Sequence, residues 1–399
     1  MSASPAPDAQ DASWRERLRG DPHAPPLSPG EARRFAAFAL GRVSRTFALN
    51  IRVLPEPLRD QVLHAYLYCR MADTLEDDPA LPAAEKVVLL QAFAALFDPD
   101  RSADRHAAAA EAFPGRLPPA WRAADDWEKI LLARAPVVLA AFPRFPAPAR
   151  RALSACVRTM CDGMGDFALR QERLARAGGG AALITTLADL DRYCWFVAGT
   201  VGVMLCELFI AHARLDDERA ARLRTHAVSF GNGLQLVNIL KDLADDQERG
   251  VSWLPGDLLA AEGLSAADFG RADATPDVRA RARRVHTALF AKTLHHLEEA
   301  LDYTLTIPRF GRGARRLRLF CLWPLLMAAE TLALLAENAG ALARGARLKI
   351  TRARVLRIVR MTSLMWWSDR WLRAEFARSA RRVRVALHDP PPGHTFGTT

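Results

Sequence analysis

The sequence predicts an all-α, single-domain protein. Its 399 residues are 50% hydrophobic and 25% charged, an ordinary globular composition for a chain long enough to bury a large core. Ala, Leu and Arg dominate and β-branched residues are sparse, which favours helices over strands. Segments with helical periodicity alternate with short helix breakers rich in proline or glycine. No segment has the pattern of a strand ladder or of a glycine-rich phosphate loop.

The helical domain is expected to cover residues 28–386, between a disordered Ala/Pro-rich tail at 1–27 and a second disordered tail at 387–399. The segment SPGE is typical of a helix start, with Ser28 as the N-cap, Pro29 in the first turn and Glu31 completing a capping box. We expect about a dozen helices. The breakers between them are LPEP (54–57), FPGRLPPA (113–120), FPRFPAPA (142–149), AGGGAA (177–182) and IPRFGRG (307–313).

The cysteines and the apolar segments indicate a cytoplasmic protein. Six cysteines are scattered in apolar segments without a CxxC pair, as expected of reduced core residues. The N-terminus has no apolar stretch of the kind that a signal peptide needs. Two windows, 195–213 and 320–336, are strongly apolar, but Glu207 and Glu330 interrupt them. We therefore expect buried helices, no transmembrane anchor, and a chain that is soluble or bound peripherally at the inner membrane face.

The charge balance predicts an anionic partner. The formal net charge is +10 and the isoelectric point is about 9.8. Such a surplus suits nucleic acid, an acidic membrane surface or a phosphorylated substrate.

An acidic motif ends an otherwise apolar segment, YLYCRMADTLEDD at 66–78. Its carboxylates Asp73, Glu76 and Asp77 are spaced i, i+3 and i+4, so that a helix places them on one face, where they repel one another. A solvated helix end is the simplest explanation of one such triplet.

A second triplet makes that explanation weaker. The segment QLVNILKDLADD at 235–246 repeats the spacing with Asp242, Asp245 and Asp246, and Asn238 lies one turn before them. If the two helices face each other, half a dozen carboxylates line one cavity and require cations. Hard oxygen ligands suit Mg²⁺, which completes its coordination shell with substrate phosphate oxygens. The pair of motifs therefore predicts a diphosphate ligand.

Cationic side chains lie beside both motifs. They are Arg45, Arg70, Lys241 and Arg249. Structural ion pairing explains any one of them equally well. Together, near two predicted metal sites, they favour contacts to phosphate.

These segments resemble the squalene/phytoene synthase family. The matching stretches are SRTFALNIRVLP (44–55), YLYCRMADTLEDD (66–78), DLDRYCWFVAGTVGVMLCELF (189–209), LQLVNILKDLADDQERGVSWLP (234–255) and FCLWPLLMAAETLALL (320–335). The resemblance implies an isoprenoid-synthase helical fold with a central cavity between two acidic-motif helices. It also implies head-to-head (1′-1) condensation of two farnesyl diphosphates to presqualene diphosphate, followed by NADPH-dependent reduction to squalene.

The resemblance also implies roles for the polar residues. The Mg²⁺ ligands would be Asp73, Glu76, Asp77, Asn238, Asp242, Asp245 and Asp246. Diphosphate would be held by Arg45, Arg70, Lys241 and Arg249, of which the first three would also contact NADPH.

Tyr193, in DRYCWFVAG, matches the tyrosine that the family is thought to use for the proton transfer closing the cyclopropane ring. A phenol is a weak base at neutral pH, so this role needs help from the released diphosphate or nearby cations. A carbocation also needs aromatic walls. The candidates, each of which simple core packing also explains, are Phe47, Tyr66, Phe196 and Phe320.

The NADPH assignment rests on the segment at 345–361, because the chain has no GxGxxG dinucleotide fingerprint. That segment resembles the flap associated with NADPH in the family. Lys349 matches a cationic position there, and Arg352 follows Thr351, where the family usually has Arg. The length of the chain also favours the reductive members of the family.

The basic flap and helix at 345–386 have a second interpretation. Residues 344–384 hold thirteen Lys and Arg against Asp369 and Glu375, with MWWSDRW among them. Such a helix could lie on anionic lipid, although a solvated face explains it too. We expect no nucleic-acid partner, because no recognised nucleic-acid module accompanies the patch.

Two alternatives to the reductive enzyme stay open. One is a non-reductive 1′-1 synthase that makes presqualene diphosphate, dehydrosqualene or phytoene without NADPH. The other is a non-catalytic helical protein whose acidic faces bind metal or a partner. We expect a monomer in each case.

Overall fold

The computed structural model describes Trp14 and residues 27–122, 124–176, 183–248, 251–269, 274–339 and 348–388. For residues 45, 46, 122, 244 and 247 it describes the backbone only. The predicted tails, apart from Trp14, Leu27 and residues 387 and 388, lie outside the described residues, as does the breaker AGGGAA.

Every regular element in these ranges is helical. The α-helices are α1 (Pro29–Val43), α2 (Arg45–Arg52), α3 (Leu58–Asp77), α4 (Ala83–Ala94), α5 (Ala103–Ala112), α6 (Pro119–Arg122), α7 (Trp127–Ala133), α8 (Ala135–Leu139), α9 (Ala147–Arg176), α10 (Leu187–Cys194), α11 (Thr200–Ala213), α12 (Asp217–Glu248), α13 (Gly256–Ala261), α14 (Pro276–Thr306), α15 (Ala314–Glu337), α16 (Arg352–Met365) and α17 (Asp369–His388). Short 3₁₀ turns cover Phe113–Arg116, Phe142–Arg144 and Ala266–Asp268. The described helices outnumber the dozen expected, because prolines such as Pro136 divide segments that periodicity alone joins.

The first predicted helix start is confirmed at α1. The Ser28 hydroxyl accepts a hydrogen bond from the Glu31 amide, and a Glu31 carboxylate oxygen accepts one from the Ser28 amide at 2.8 Å. Pro29 stands in the first turn, where its missing N–H costs nothing. Trp14 packs its ring edge-on against Phe35 of α1.

The long helices form the core around which the site is built. Helix α12 packs along α14 and α11, while α9 packs against α4 and α11. Two glycines allow α12 to come unusually close to the segment before it. A β-carbon on Gly202 would collide with the carbonyl oxygen of Ala227, and one on Gly231 would collide with that of Ala198. The backbones of α11 and α12 therefore touch without intervening side chains.

A single π-helical turn, Trp195–Gly199, connects α10 to α11. Such turns change the phase of a helix and occur often at functional sites. Here the turn follows Tyr193 near the end of α10, and its own residues Val197 and Ala198 line a cavity.

Two helical stretches, Leu187–Ala213 and Ala314–Glu337, are long and apolar enough to cross a membrane. In the most apolar window of the second, 83% of the residues are buried inside the protein, against 44% for the first. Glu330, in the second stretch, accepts hydrogen bonds from Arg354 and Arg382 at 2.8 and 2.7 Å. The second stretch is therefore a core helix whose buried Glu330 is paired.

Candidate active site

A cavity of about 280 Å³ opens between the two helices that carry the acidic motifs. Helix α3 contributes Arg70 and Asp73 to its wall, and α12 contributes Gln235 and Asn238. The rest of the lining comes mainly from apolar residues of α2, α9, α11, α12 and α15 and of the π-helical turn. One polar rim thus joins residues of both motifs above an apolar interior.

Arg70 organises the α3 side of this rim. Its guanidinium donates a hydrogen bond of 3.3 Å to the Tyr66 hydroxyl and lies 3.9 Å from an Asp73 carboxylate oxygen. It also lies 3.7 Å from a carboxylate oxygen of Glu128 at the start of α7. The Nε atom of Arg70 is buried and has no hydrogen-bond partner. Arg70 therefore holds a positive charge at the cavity wall with donor capacity to spare.

Burial and mutual repulsion together raise the pKa values of two α3 carboxylates. The pKa of Asp73 is raised to about 7, by removal from water and then by the charges of Asp77 and Glu128, although Arg70 opposes the change. The pKa of Glu76 is raised to about 8, by removal from water and by the charges of Asp77 and Asp73. A bound cation would relieve this repulsion, which is the electrostatic property that a metal-ligand set requires.

The α12 carboxylates follow the cavity rim along the helix. Asp242 forms an ion pair of 3.1 Å with the neighbouring Lys241, and Asp245 and Asp246 lie in the last turns before the helix ends. Arg249 lies outside the described residues. Among the described residues, no three His, Cys, Asp or Glu side chains already converge on one point that could hold a metal ion.

Tyr193 lies close to the α3 carboxylates. Its ring stacks on Trp253 with 4.0 Å between centroids and meets Phe167 edge-on. The pKa of Tyr193 is well above its ordinary value, because the phenol is removed from water and lies near the charges of Glu76 and Asp77. The phenol therefore keeps its proton while those charges are uncompensated.

Three of the four predicted aromatic residues line the cavity. Phe47 and Tyr66 pack together with centroids 5.3 Å apart, and Phe320 meets Phe209 edge-on behind the wall. Phe196 is not among the residues described as lining it. Its ring lies against α9 where Gly163 leaves room, so Phe196 packs the core as the simpler alternative expected.

A second cavity, of about 480 Å³, adjoins the first. The two share five wall residues, namely Phe47, Asn50, Leu234, Asn238 and Pro324. Lys241 of α12 and Lys349, just before α16, both line the second cavity. The side chain of Arg45 is not described, and Arg352 begins α16 without being among the lining residues described.

Three neighbours of the site escaped the sequence reasoning. Glu128 and Trp253 lie far along the chain from the residues that they contact, so no local pattern marks them. Asn50 lies between the two cavities and is 1% exposed, and neither polar atom of its side chain has a hydrogen-bond partner. The sequence offered one sign of Asn50, namely a polar amide within the largely apolar segment FALNIRVL.

Comparison with known proteins identifies relatives of this chain. The family model described as squalene/phytoene synthase matches residues 40–354. A squalene synthase of Schizosaccharomyces pombe is 28% identical over 299 residues, which cover 75% of this chain and 58% of that protein. A bifunctional lycopene cyclase/phytoene synthase of Colletotrichum graminicola is 33% identical over 288 residues, covering 70% and 43%. This chain thus spans about half the length of these two relatives.

The solved structures agree with the fold. The structure of TcSQS with the ligand E5700 superposes with a TM-score of 0.66 at 26% identity, covering 90% of this chain and 98% of that one. The predicted all-α isoprenoid-synthase fold is confirmed. The family match spans most of the chain and includes both acidic motifs. The chain is therefore a member of the squalene/phytoene synthase family.

Proposed function

We propose that this protein condenses two farnesyl diphosphates head to head to presqualene diphosphate and then reduces that product to squalene with NADPH. The observation that carries the proposal is the cavity of about 280 Å³ whose polar rim joins Arg70 and Asp73 of α3 to Asn238 of α12 above an apolar interior. A prenyl diphosphate has the matching shape, with an anionic head and a long apolar tail.

The two acidic motifs carry side chains that fit Mg²⁺. Asp73 and Asn238 line the cavity. The further ligands would be Glu76 and Asp77 of α3 and Asp242, Asp245 and Asp246 of α12. Mg²⁺ held by few carboxylates takes the rest of its oxygen ligands from water and phosphate. When bound, Mg²⁺ would neutralise charge on a departing diphosphate. The raised pKa values of Asp73 and Glu76 support this fit, because their causes, removal from water and then the charges of neighbouring carboxylates, are ones that a bound cation would offset.

The chain's own residues would do the remaining work of the first half-reaction. Arg70, whose side chain lines the cavity, would hold the diphosphate through its guanidinium. The walls formed by Phe47, Tyr66 and Phe320 would exclude water and present ring faces to the allylic cation. Tyr193, a protonated phenol, would give its own proton to the released diphosphate while it takes up the proton that is lost as the cyclopropane closes.

The second cavity supports the reductive half-reaction. Lys241 and Lys349 line it together, and it shares a wall with the first cavity. Two ammonium groups in one cleft suit the phosphates of a dinucleotide. NADPH bound there would supply hydride to the cation in the neighbouring cavity. Lys349 therefore belongs to the proposed cofactor site. Arg352 is less well supported, because it is not among the residues described as lining the second cavity.

A non-reductive 1′-1 synthase is the second candidate. The observation that favours it is the 33% identity to a relative named as a phytoene synthase, higher than the 28% to the squalene synthase. Such an enzyme would use the first cavity alone and stop at presqualene diphosphate, dehydrosqualene or phytoene.

Product identification separates these candidates. The purified chain is incubated with Mg²⁺ and farnesyl diphosphate, with and without NADPH, and the products are identified by mass spectrometry. We expect squalene with NADPH and presqualene diphosphate without it. Products that NADPH leaves unchanged would favour the non-reductive synthase. Failure to consume either farnesyl or geranylgeranyl diphosphate would favour a non-catalytic protein.

A further inference from the structure

Internal ion pairs neutralise much of the basic C-terminal region. Arg354 and Arg382 bind the buried Glu330, and Arg382 also binds Glu337 at 2.7 Å. Arg373 pairs with Asp302, and Arg384 pairs with Glu298. The charge count of this segment therefore overstates its basic surface, because other helices supply carboxylates that the segment itself lacks.

Other arginines, inside and outside this region, leave their charge exposed to solvent. Among the described residues, the following exposed arginines near the ends of α15, α16 and α17 have no recorded ion pair: Arg312, Arg315, Arg316, Arg357, Arg360 and Arg370. They come from two segments separated by about forty residues of sequence.

Arg318 ties these two segments together. Its side chain is 1% exposed and donates hydrogen bonds to the carbonyl oxygens of Ile307 at 2.8 Å and of Trp366 at 3.3 Å. It also forms an ion pair of 2.6 Å with Asp369, which pairs on its other oxygen with Arg309 at 2.7 Å. The loop before α15 and the turn between α16 and α17 are thus fixed side by side by a buried guanidinium.

Both segments present large apolar side chains to solvent at this point. Phe310, next to Arg309, is 83% exposed. Trp367, two residues before Asp369, is 51% exposed, and Leu364 in the last turn of α16 is 66% exposed. These large apolar side chains are exposed on two segments that Arg318 and Asp369 hold together, and exposed apolar surface of this kind marks an interaction site. We call these three residues, together with the exposed arginines for which the described residues show no ion pair, the aromatic–basic patch. Its members are Phe310, Leu364, Trp367, Arg312, Arg315, Arg316, Arg357, Arg360 and Arg370.

We propose that the aromatic–basic patch docks the protein on an anionic lipid bilayer surface. Aromatic rings and leucine enter the boundary between headgroups and acyl chains, while arginines around them contact lipid phosphates. The charge complementarity selects anionic lipid, since each Lys or Arg near such a surface adds to binding. None of the patch residues is among those described as lining the two proposed active-site cavities, so docking does not depend on the proposed reaction.

Vesicle flotation with the full chain tests the proposal. The vesicles are phosphatidylcholine alone or phosphatidylcholine with about one third phosphatidylglycerol. We expect flotation with the anionic vesicles only. The variant F310S/W367S should bind these at least about tenfold more weakly. The variant R312Q/R316Q/R370Q should lose about 100-fold.

The controls change exposed apolar residues and exposed arginines elsewhere. V88S/V385S removes two exposed valines, of which Val385 lies about 24 Å along α17 from Asp369. R105Q/R116Q/R158Q removes the same charge from other helices and turns. Circular dichroism melting verifies that each variant is folded. We expect this result because the substituted side chains are exposed.

Three results would overturn the proposal. The first is equal binding to both kinds of vesicle or to neither. The second is an equal loss in the controls and in the patch variants. The third is that the patch substitutions abolish binding to a DNA duplex or a concentration-dependent dimer while leaving vesicle binding unchanged.

Discussion

Asp73 of α3 and Asn238 of α12 line the same cavity, although they belong to two acidic motifs that lie far apart in the sequence. Neither motif alone distinguishes a ligand site from a solvated helix end. Their shared cavity makes one ligand accessible to both. The properties of that cavity lead to the predictions below.

Mg²⁺ should stabilise the protein more at pH 8 than at pH 6. The pKa values of Asp73 and Glu76 are raised from 3.8 and 4.5 to about 7 and about 8. In the metal-free protein, the contribution of these groups to stability is therefore fully present below about pH 4 and is lost as the pH rises through 7 to 8. Mg²⁺ binds the ionised carboxylates, so calorimetry should give a larger increase in Tm at the higher pH. An equal increase at both pH values, or one retained in D73N/E76Q, would contradict the prediction.

Tyr193→Phe should abolish most of the first half-reaction without destabilising the fold. The substitution keeps the stacking on Trp253 and removes only the hydroxyl. Loss of a proton-transfer group costs about 10²–10⁴-fold, which would appear as slower formation of presqualene diphosphate. The control is Tyr303→Phe, which removes the hydroxyl of another buried tyrosine and should leave the rate unchanged. Normal turnover by the Tyr193 variant would remove the proton-transfer role.

Asn50→Leu should raise stability and lower activity. The buried amide has no partner in the described structure, and removing an unsatisfied polar group gains about 1–3 kcal/mol. If the amide binds the ligand at the wall between the cavities, its loss should lower kcat/KM by about 10–100-fold. Asn232→Leu is the matched control, because Asn232 is also buried with an unpartnered oxygen but does not line either cavity as described. An unchanged kcat/KM for the Asn50 variant would assign that residue to packing.

Met204→Ala should shift the substrate preference towards longer prenyl chains. Met204 lines both the cavity of about 280 Å³ and a neighbouring apolar cavity of about 500 Å³. Shortening this side chain would join the two spaces, at a cost of about 2–5 kcal/mol in stability. The ratio of kcat/KM for geranylgeranyl over farnesyl diphosphate should rise by about tenfold or more. Met160→Ala enlarges only the first cavity, so an equal shift in that control would refute the separating role of Met204.

Local patterns in the sequence predicted most of the helical architecture. The capping box at Ser28 is a signal within four residues, and the structure confirms it. The acidic triplets fell on helices because helical periodicity fixes which residues share a face. The glycines of the segment VAGTVG are explained by the packing, since Gly202 lets α11 touch the backbone of α12.

Contacts between distant segments were not predictable from such patterns. Nothing in the sequence pairs Trp253 with Tyr193 or Glu128 with Arg70, because each contact depends on how three or more helices pack. The basic C-terminal segment shows the same limit. Its arginines were expected to form one solvated or lipid-facing surface, but Glu330 and other carboxylates of α14 and α15 neutralise several of them.

A double-mutant cycle tests most directly whether the two acidic helices share one ligand. Mg²⁺-dependent binding of inorganic diphosphate is measured by calorimetry for the wild-type chain, D73N, D242N and D73N/D242N. Residues that act on one metal–diphosphate complex should show a coupling free energy of about 0.5–3 kcal/mol. Additive effects of the two substitutions, or binding that neither substitution weakens, would contradict a shared site.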